Sequence, residues 1–251
     1  MERQRSIRPT QDSVRNRLLS ALSPEDWEIL SPALQLVELK GRQVLHHAKT
    51  PMEHAFFIER GLVSVSARVA PEQWVEVWLT GSEGMTGLPI LLGNANFPAF
   101  RRVVQVGGTA FRISTKDLLR ARELRPSLDK LLLCYASVVL LQTSQSGACN
   151  AHHSLKQRLA RWLLLAKFAL NDDNLPITHN VLSRLLGVRR PSVTGCLGVL
   201  QEEQSIRMER GLIAVNDPEK LEATCCHCHQ LIKQAYIRLI GRSAGADQLK
   251  R

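Results

Sequence analysis

The sequence predicts an α+β fold in three parts: an N-terminal β-roll, a long helix, and a C-terminal winged helix-turn-helix. Three observations carry this. Short β-branched and aromatic runs, closely punctuated by Gly and Pro, fill the first half from Leu34 onward. A helical apolar period takes over after Pro126 and returns before Leu170. Two short amphipathic segments around Gly187 then occupy residues 178–200, and an alternating pair of runs follows them.

Residues 1–13 are polar and Arg-rich and read as a flexible lead-in. Residues 14–30 have helical periodicity, and Ser23, Pro24, Glu25 and Asp26 form a helix start. Strand-like runs cover residues 34–39, 41–45, 55–59, 61–69 and 74–79, and a further pair covers 102–106 and 110–113. Between them residues 81–93 are Gly-rich with a short apolar centre. The roll domain is thus placed at residues 14–124.

The helix that follows, residues 125–150, carries two apolar stripes. One holds Leu128, Leu132, Tyr135 and Val139, the other Leu131, Cys134, Val138 and Leu141. One stripe can cover the roll while the other meets a partner helix in a parallel dimer seam. The Leu128–Leu132–Tyr135–Val139 stripe is the expected dimer interface, being too apolar to leave exposed on a monomer.

Residues 151–251 are assigned to a winged helix-turn-helix domain with a C-terminal helical tail. Thr178 can cap a helix whose stripe is Val181, Leu182, Leu185 and Leu186, and Gly187 stands at its stop position. Pro191 suits the first turn of a second helix, with Val193, Cys196, Leu197 and Leu200 as its buried face. Such a second helix is built to enter a DNA major groove, and Arg189-Arg190 at its start weigh against an ordinary helical hairpin. Arg189 and Arg190 are the candidates for base edges or phosphates. Thr178, His179, Asn180 and Ser192 are candidates for the backbone, and Thr194 and Gly195 for the groove-facing surface. The alternating run 206–215 turns at Arg210-Gly211 as a wing, whose Arg207 and Arg210 are in reach of phosphates.

Composition agrees. The chain has 33 Lys+Arg against 23 Asp+Glu, a net charge of +10, and residues 151–251 hold 15 basic and 9 acidic groups against 18 and 14 before them. The shorter part is the more basic, as a nucleic-acid surface requires. No apolar run is expected to span a membrane, and the N-terminal residues lack the apolar core of a signal peptide, so a cytoplasmic protein without a membrane partner is expected. No nucleophile elbow, phosphate loop or paired-His metal motif is present, so neither an enzyme nor a resident cofactor is expected. Six Cys do not form a disulfide framework. Cys225-Cys226-His227-Cys228-His229 is too short to wrap four ligands around one metal, although Cys225, Cys228 and His229 could share a helix face as part of a metal or redox site. A small-ligand, metal or redox module using that cluster is the alternative reading.

The order of roll, long helix and helix-turn-helix resembles the Crp/Fnr family of bacterial transcription regulators, over nearly the whole chain. The resemblance rests on residues 61–65, residues 83–93 and residues 178–200. It implies a cyclic-nucleotide-binding-like jelly roll, a homodimer and double-stranded DNA with inverted half-sites. It also admits RNA polymerase and a small effector as partners. The effector pocket would involve Glu83, Gly84, Gly87, Leu88, Arg101 and Arg102. Here the chain departs from the family's cyclic-nucleotide binders: Leu88 follows Gly87 where a ribose-binding Glu is usual, and the Arg pair comes after a longer loop. A buried hydroxyl would lose its acceptor, so cyclic nucleotide should bind poorly. On the recognition helix Arg190 matches the family's first Arg, but Pro191 and Gly195 replace its Glu and second Arg, so a different operator is expected. The paired N-terminal Cys of the family's iron–sulfur sensors are absent, and His46 and His47 read as surface residues.

Overall fold

The computed structural model describes residues 9–241; the first eight residues of the lead-in and residues 242–251 of the tail lie outside it. The helical stretch before the roll is two short pieces, α1 (Arg17–Ser20) and α2 (Pro24–Leu30). Each starts on a side-chain cap: Asn16 accepts from the Leu19 N–H at 3.0 Å, and Ser23 from the Asp26 N–H at 3.2 Å.

The roll is one antiparallel sheet of β1 (Gln35–Leu39), β2 (Val44–His46), β3 (His54–Ala70), β4 (Gln73–Thr80) and β5 (Arg101–Ser114), in the order β1-β5-β3-β4, with β2 also on β5. Two of the strands are longer than the sequence suggests. The runs at 55–59 and 61–69 are one strand, and so are those at 102–106 and 110–113. The glycines between them bend the ladder without ending it. Gly61 has φ +99°, and a Cβ on it would lie 2.6 Å from the Val106 carbonyl oxygen; a Cβ on Gly108 would lie 2.1 Å from that of Arg60. The register slips at Arg60 and Leu62, a bulged bend that curls the sheet into a roll.

A one-turn helix, α3 (Leu88–Leu91), sits in the Gly-rich segment, and α4 (Thr115–Leu124) leads to the long α5 (Pro126–His152). By length and a mean hydropathy of 1.2 over 18 residues, α5 would suffice to cross a bilayer, contrary to the sequence expectation. One side of it is built into the core. Leu128, Leu132, Tyr135 and Val139 are at most 2% exposed and join Phe57, Val65, Trp78, Met85, Phe111 and Ile113 of the roll in one cluster. The expected dimer stripe is therefore consumed inside the chain. The side of α5 left open is Lys130, Leu133, Ser137, Leu140, Ser144, Gly147 and Ala151.

The second core lies beyond the turn at His153. There α6 (Leu155–Leu170) begins on a capping box of Ser154 and Gln157, and β6 (Asn174–Leu175), α7 (His179–Leu185), α8 (Arg190–Glu202), β7 (Ile206–Glu209), β8 (Leu212–Val215) and α9 (Pro218–Thr224) follow. Leu159, Leu163, Leu182, Val193, Leu197, Leu200 and Ile213 are at most 1% exposed in that cluster. Strands β6, β8 and β7 form a small sheet, the wing. The tail is a further amphipathic helix, α10 (Cys228–Leu239), laid back against α5, where Tyr236 Oη donates to the Glu83 carbonyl at 2.7 Å.

Candidate nucleic-acid interface

Thr178 caps α7 by accepting from the Val181 N–H at 3.3 Å. Gly187, at φ +66°, ends the helix in the left-handed region that glycine adopts at least cost. The chain then turns into α8, with Arg189 at the N-cap and Pro191 in the first turn. Val193, Leu197 and Leu200 are buried, which turns the opposite side of α8 outward. Arg189, Arg190, Ser192, Thr194 and Gly195 are exposed there, as are Thr178 and Asn180. His179 Nδ1 and Thr194 Oγ1 lie 2.9 Å apart and tie the start of α7 to the middle of α8. Burial, and then the nearby Arg190 cation, holds the His179 imidazole below its ordinary value. No atom outside the helix lies within 4 Å of a Cβ built on Gly195 or Gly198, so another backbone can approach this face closely.

Two cations flank this surface. Arg184 of α7 is exposed and was missed in the sequence, where it reads as one polar position among others. On the wing Arg210 is exposed, whereas Arg207 is drawn to Glu209 Oε1 at 3.2 Å. Both members of that pair are more than half exposed, so the attraction is weak and Arg207 is easily released.

The domain is held against the roll. Trp162 Nε1 of α6 donates to Glu76 Oε1 of β4 at 2.7 Å. Burial pushes the Glu76 carboxyl up to about 8, against the opposing effects of that bond and of Arg161. Across the same junction a cleft of about 1120 Å³ separates Thr178, Asn180, Arg184 and Arg189 from Trp74 and Arg101 of the roll.

The expected effector residues do not converge on one pocket. Glu83 is buried, and its carboxylate accepts from the Gly81 N–H at 2.9 Å while burial raises its pKa. It borders a cavity of about 470 Å³ between α5, α6 and α10. Gly84 lies so close to Tyr135 that a Cβ would stand 2.1 Å from its hydroxyl. Gly87 precedes α3, and Leu88 is its half-buried first residue. Arg101 stacks over the Trp74 ring at 4.4 Å. Arg102 is buried inside the roll. It is 1% exposed, donates to the Phe100 carbonyl at 2.6 Å, and has no ion pair among the described residues. His46, expected at the surface, is also buried, and burial lowers its pKa to about 4.

The Cys225–His229 segment is likewise rearranged. Cys225 caps the end of α9 while Cys228 and His229 begin α10, so the three do not share one helix face. His229 Nε2 lies 3.6 Å from Glu222 Oε1 instead.

A winged helix-turn-helix with an exposed basic start to its second helix defines a DNA-binding transcription regulator. Residues 157–224 match the family model of the Crp-like helix-turn-helix domain. The chain is 24% identical over 196 residues to the global nitrogen regulator of Synechococcus elongatus, covering 75% of this chain and 88% of that one. Its fold is that of Crp/Fnr regulators. FixK2 of Bradyrhizobium japonicum superposes with a TM-score of 0.67 at 12% identity, over 77% of this chain and 98% of that one. A Crp/Fnr-family regulator of Eubacterium rectale does so with 0.59 at 16% identity, over 82% and 96%.

Proposed function

We propose that the protein acts as a homodimer on inverted DNA half-sites, and that it does so without cyclic nucleotide in its roll. The observation that supports DNA reading most directly is the exposed row Arg189, Arg190, Ser192, Thr194 and Gly195 over a fully buried face of α8. Arg190 stands at the N-terminal end of α8, where a guanidinium fork can take both acceptors of a guanine. Arg184, Arg210 and the exposed Thr178 and Asn180 suit phosphates on either side.

The open stripe of α5 supports the dimer. Lys130, Leu133, Ser137, Leu140, Ser144, Gly147 and Ala151 repeat at intervals of three and four, the spacing of a coiled-coil seam. Leu133 is 40% and Leu140 68% exposed, which a partner helix would cover. The small residues after Leu140 let the two helices approach closely.

Against cyclic nucleotide stand Glu83, whose carboxylate is spent on its own loop, and Leu88, which cannot accept from a ribose hydroxyl. The buried Arg102, without an ion pair among the described residues, favours a second reading, in which the roll receives a small anion.

Selection from a random DNA pool tests the main reading. Wild type should enrich inverted half-sites about 10–10.5 base pairs apart, centre to centre. Arg190→Ala should cost roughly 1–3 kcal/mol per half-site and relax one symmetric base position. Selection of no common sequence by the wild type would refute it.

A further inference from the structure

Four ligand-type side chains from distant parts of the chain meet where α5 ends and α10 begins. Cys149 and His153 stand one helical turn apart at the end of α5, and Cys226 and Cys228 flank the start of α10. The three sulfurs and a His153 ring nitrogen all lie within 4.8 Å of one another. Cys149 Sγ is 3.5 Å from Cys226 Sγ, and Cys228 Sγ is 3.7 Å from His153 Nδ1. The three thiols are free and buried, and His153 is half-buried.

We propose that Cys149, His153, Cys226 and Cys228 bind one Zn²⁺ in a closed tetrahedral site. Bonds of about 2.3 Å to sulfur and about 2.0–2.1 Å to nitrogen set tetrahedral donors roughly 3.5–3.8 Å apart, which the two measured separations match. An iron–sulfur cluster interposes several atoms between its thiolates and needs them spread wider. A Cys149–Cys226 disulfide would need its sulfurs at about 2.05 Å and would leave Cys228 and His153 without a role.

The surroundings suit a thiolate-rich site. Gln145 Nε2 donates to Cys228 Sγ at 3.1 Å, the bond an outer-shell partner makes to hold a ligand sulfur. Arg161 is 4% exposed, donates to Ser146 Oγ at 2.8 Å, and has no ion-pair partner among the described residues. Zn²⁺ with three thiolates and a neutral imidazole carries one negative charge, which the buried guanidinium balances. Binding releases the three thiol protons to solvent, and His153 enters neutral through Nδ1.

The site lies at the turn between α5 and α6, from which the helix-turn-helix domain extends. Its metal fastens α10 there, over the 470 Å³ cavity that α10 closes with Ile232 and Tyr236. The short Cys-His segment alone could not supply a tetrahedron, but the fold adds two ligands from a helix some 75 residues earlier in the chain.

The test uses the full chain, purified under reducing conditions, stripped of metal and reloaded with Zn²⁺ or Co²⁺. One metal per chain is expected by elemental analysis and native mass spectrometry. Co²⁺ should show the intense ligand-field bands of a tetrahedral centre and thiolate charge transfer. Cys228→Ser and His153→Ala should lose the metal or its tetrahedral spectrum, and Gln145→Leu should weaken binding roughly 10–100-fold. Cys225→Ser, beside the cluster but outside it, should retain the metal. The proposal is overturned if the wild type retains no metal, or if iron with labile sulfide reconstitutes instead. It also fails if Cys225→Ser loses metal as Cys228→Ser does. The metal readout on wild type needs no variant to fold, and none of these results depends on DNA binding.

Discussion

Leu140→Glu should split the proposed dimer and leave the fold intact, whereas Leu132→Ala should do the reverse. Leu140 is 68% exposed, so about two-thirds of its apolar surface remains for a partner to cover. Full burial of a Leu side chain is worth ~1.5–3 kcal/mol, so the remaining share is about 1–2 kcal/mol per chain and about 2–4 per dimer. At 1.4 kcal/mol per tenfold, loss of that contact raises the dimer Kd roughly 30- to 700-fold, and two facing carboxylates add repulsion. Leu132 is 1% exposed beneath the roll, and truncating a buried Leu costs about 2–5 kcal/mol of stability. Sedimentation velocity over a concentration series reads the first effect, and thermal unfolding followed by circular dichroism reads the second. If Leu140→Glu leaves the dimer Kd unchanged, the seam is not this stripe. A Leu132→Ala protein as stable as wild type would contradict the packing of α5 on the roll.

Cyclic AMP at sub-millimolar concentration should produce no thermal shift, because a ligand of the native state alone must raise its melting temperature; a clear upward shift would show that the cassette around Leu88 accepts the nucleotide. The Glu76 carboxyl, at about 8 when folded against 4.5 as its ordinary value, favours the protonated form in the fold. Its contribution is complete below about 4.5 and is lost as pH rises through about 8, so stability should fall across that window in wild type and less so in Glu76→Gln, as denaturant melts at several pH values would report. Gly195→Ala should stabilise the free protein by up to ~1 kcal/mol through helix propensity, since the added methyl meets nothing within 4 Å; weakened DNA binding in a gel shift would show that the DNA approaches this face closely. Gly84→Ala forces a methyl to 2.1 Å from the Tyr135 hydroxyl and should lower the melting temperature; an unchanged melt would show that Tyr135 moves freely.

The helix-turn-helix was legible in the sequence because its signals are local. A capping Thr178, a stop at Gly187, Pro191 in a first turn and two apolar stripes are each decided within a few residues, and all appear as read. The α+β order of parts was legible for the same reason: a change of apolar period needs no knowledge of partners. What the tertiary structure decided were matters of which face meets what. Both apolar stripes of α5 read from the sequence turn mostly inward, Leu132 and Tyr135 of one and Leu131 and Val138 of the other being buried, and only the packing of the helix leaves Leu133 and Leu140, which belong to neither stripe, exposed. The Gly61 and Gly107-Gly108 signals look the same in sequence whether a strand turns or bends, and the facing strand settles it. Nothing in the spacing around Arg102 says that its guanidinium is buried, which only the folded roll decides. Cys149 and Cys226 are far apart in sequence and 3.5 Å apart in space, a proximity no spacing rule could supply. Local backbone chemistry is written along the chain. Burial, charge pairing and ligand geometry depend on contacts between segments that the chain brings together only by folding.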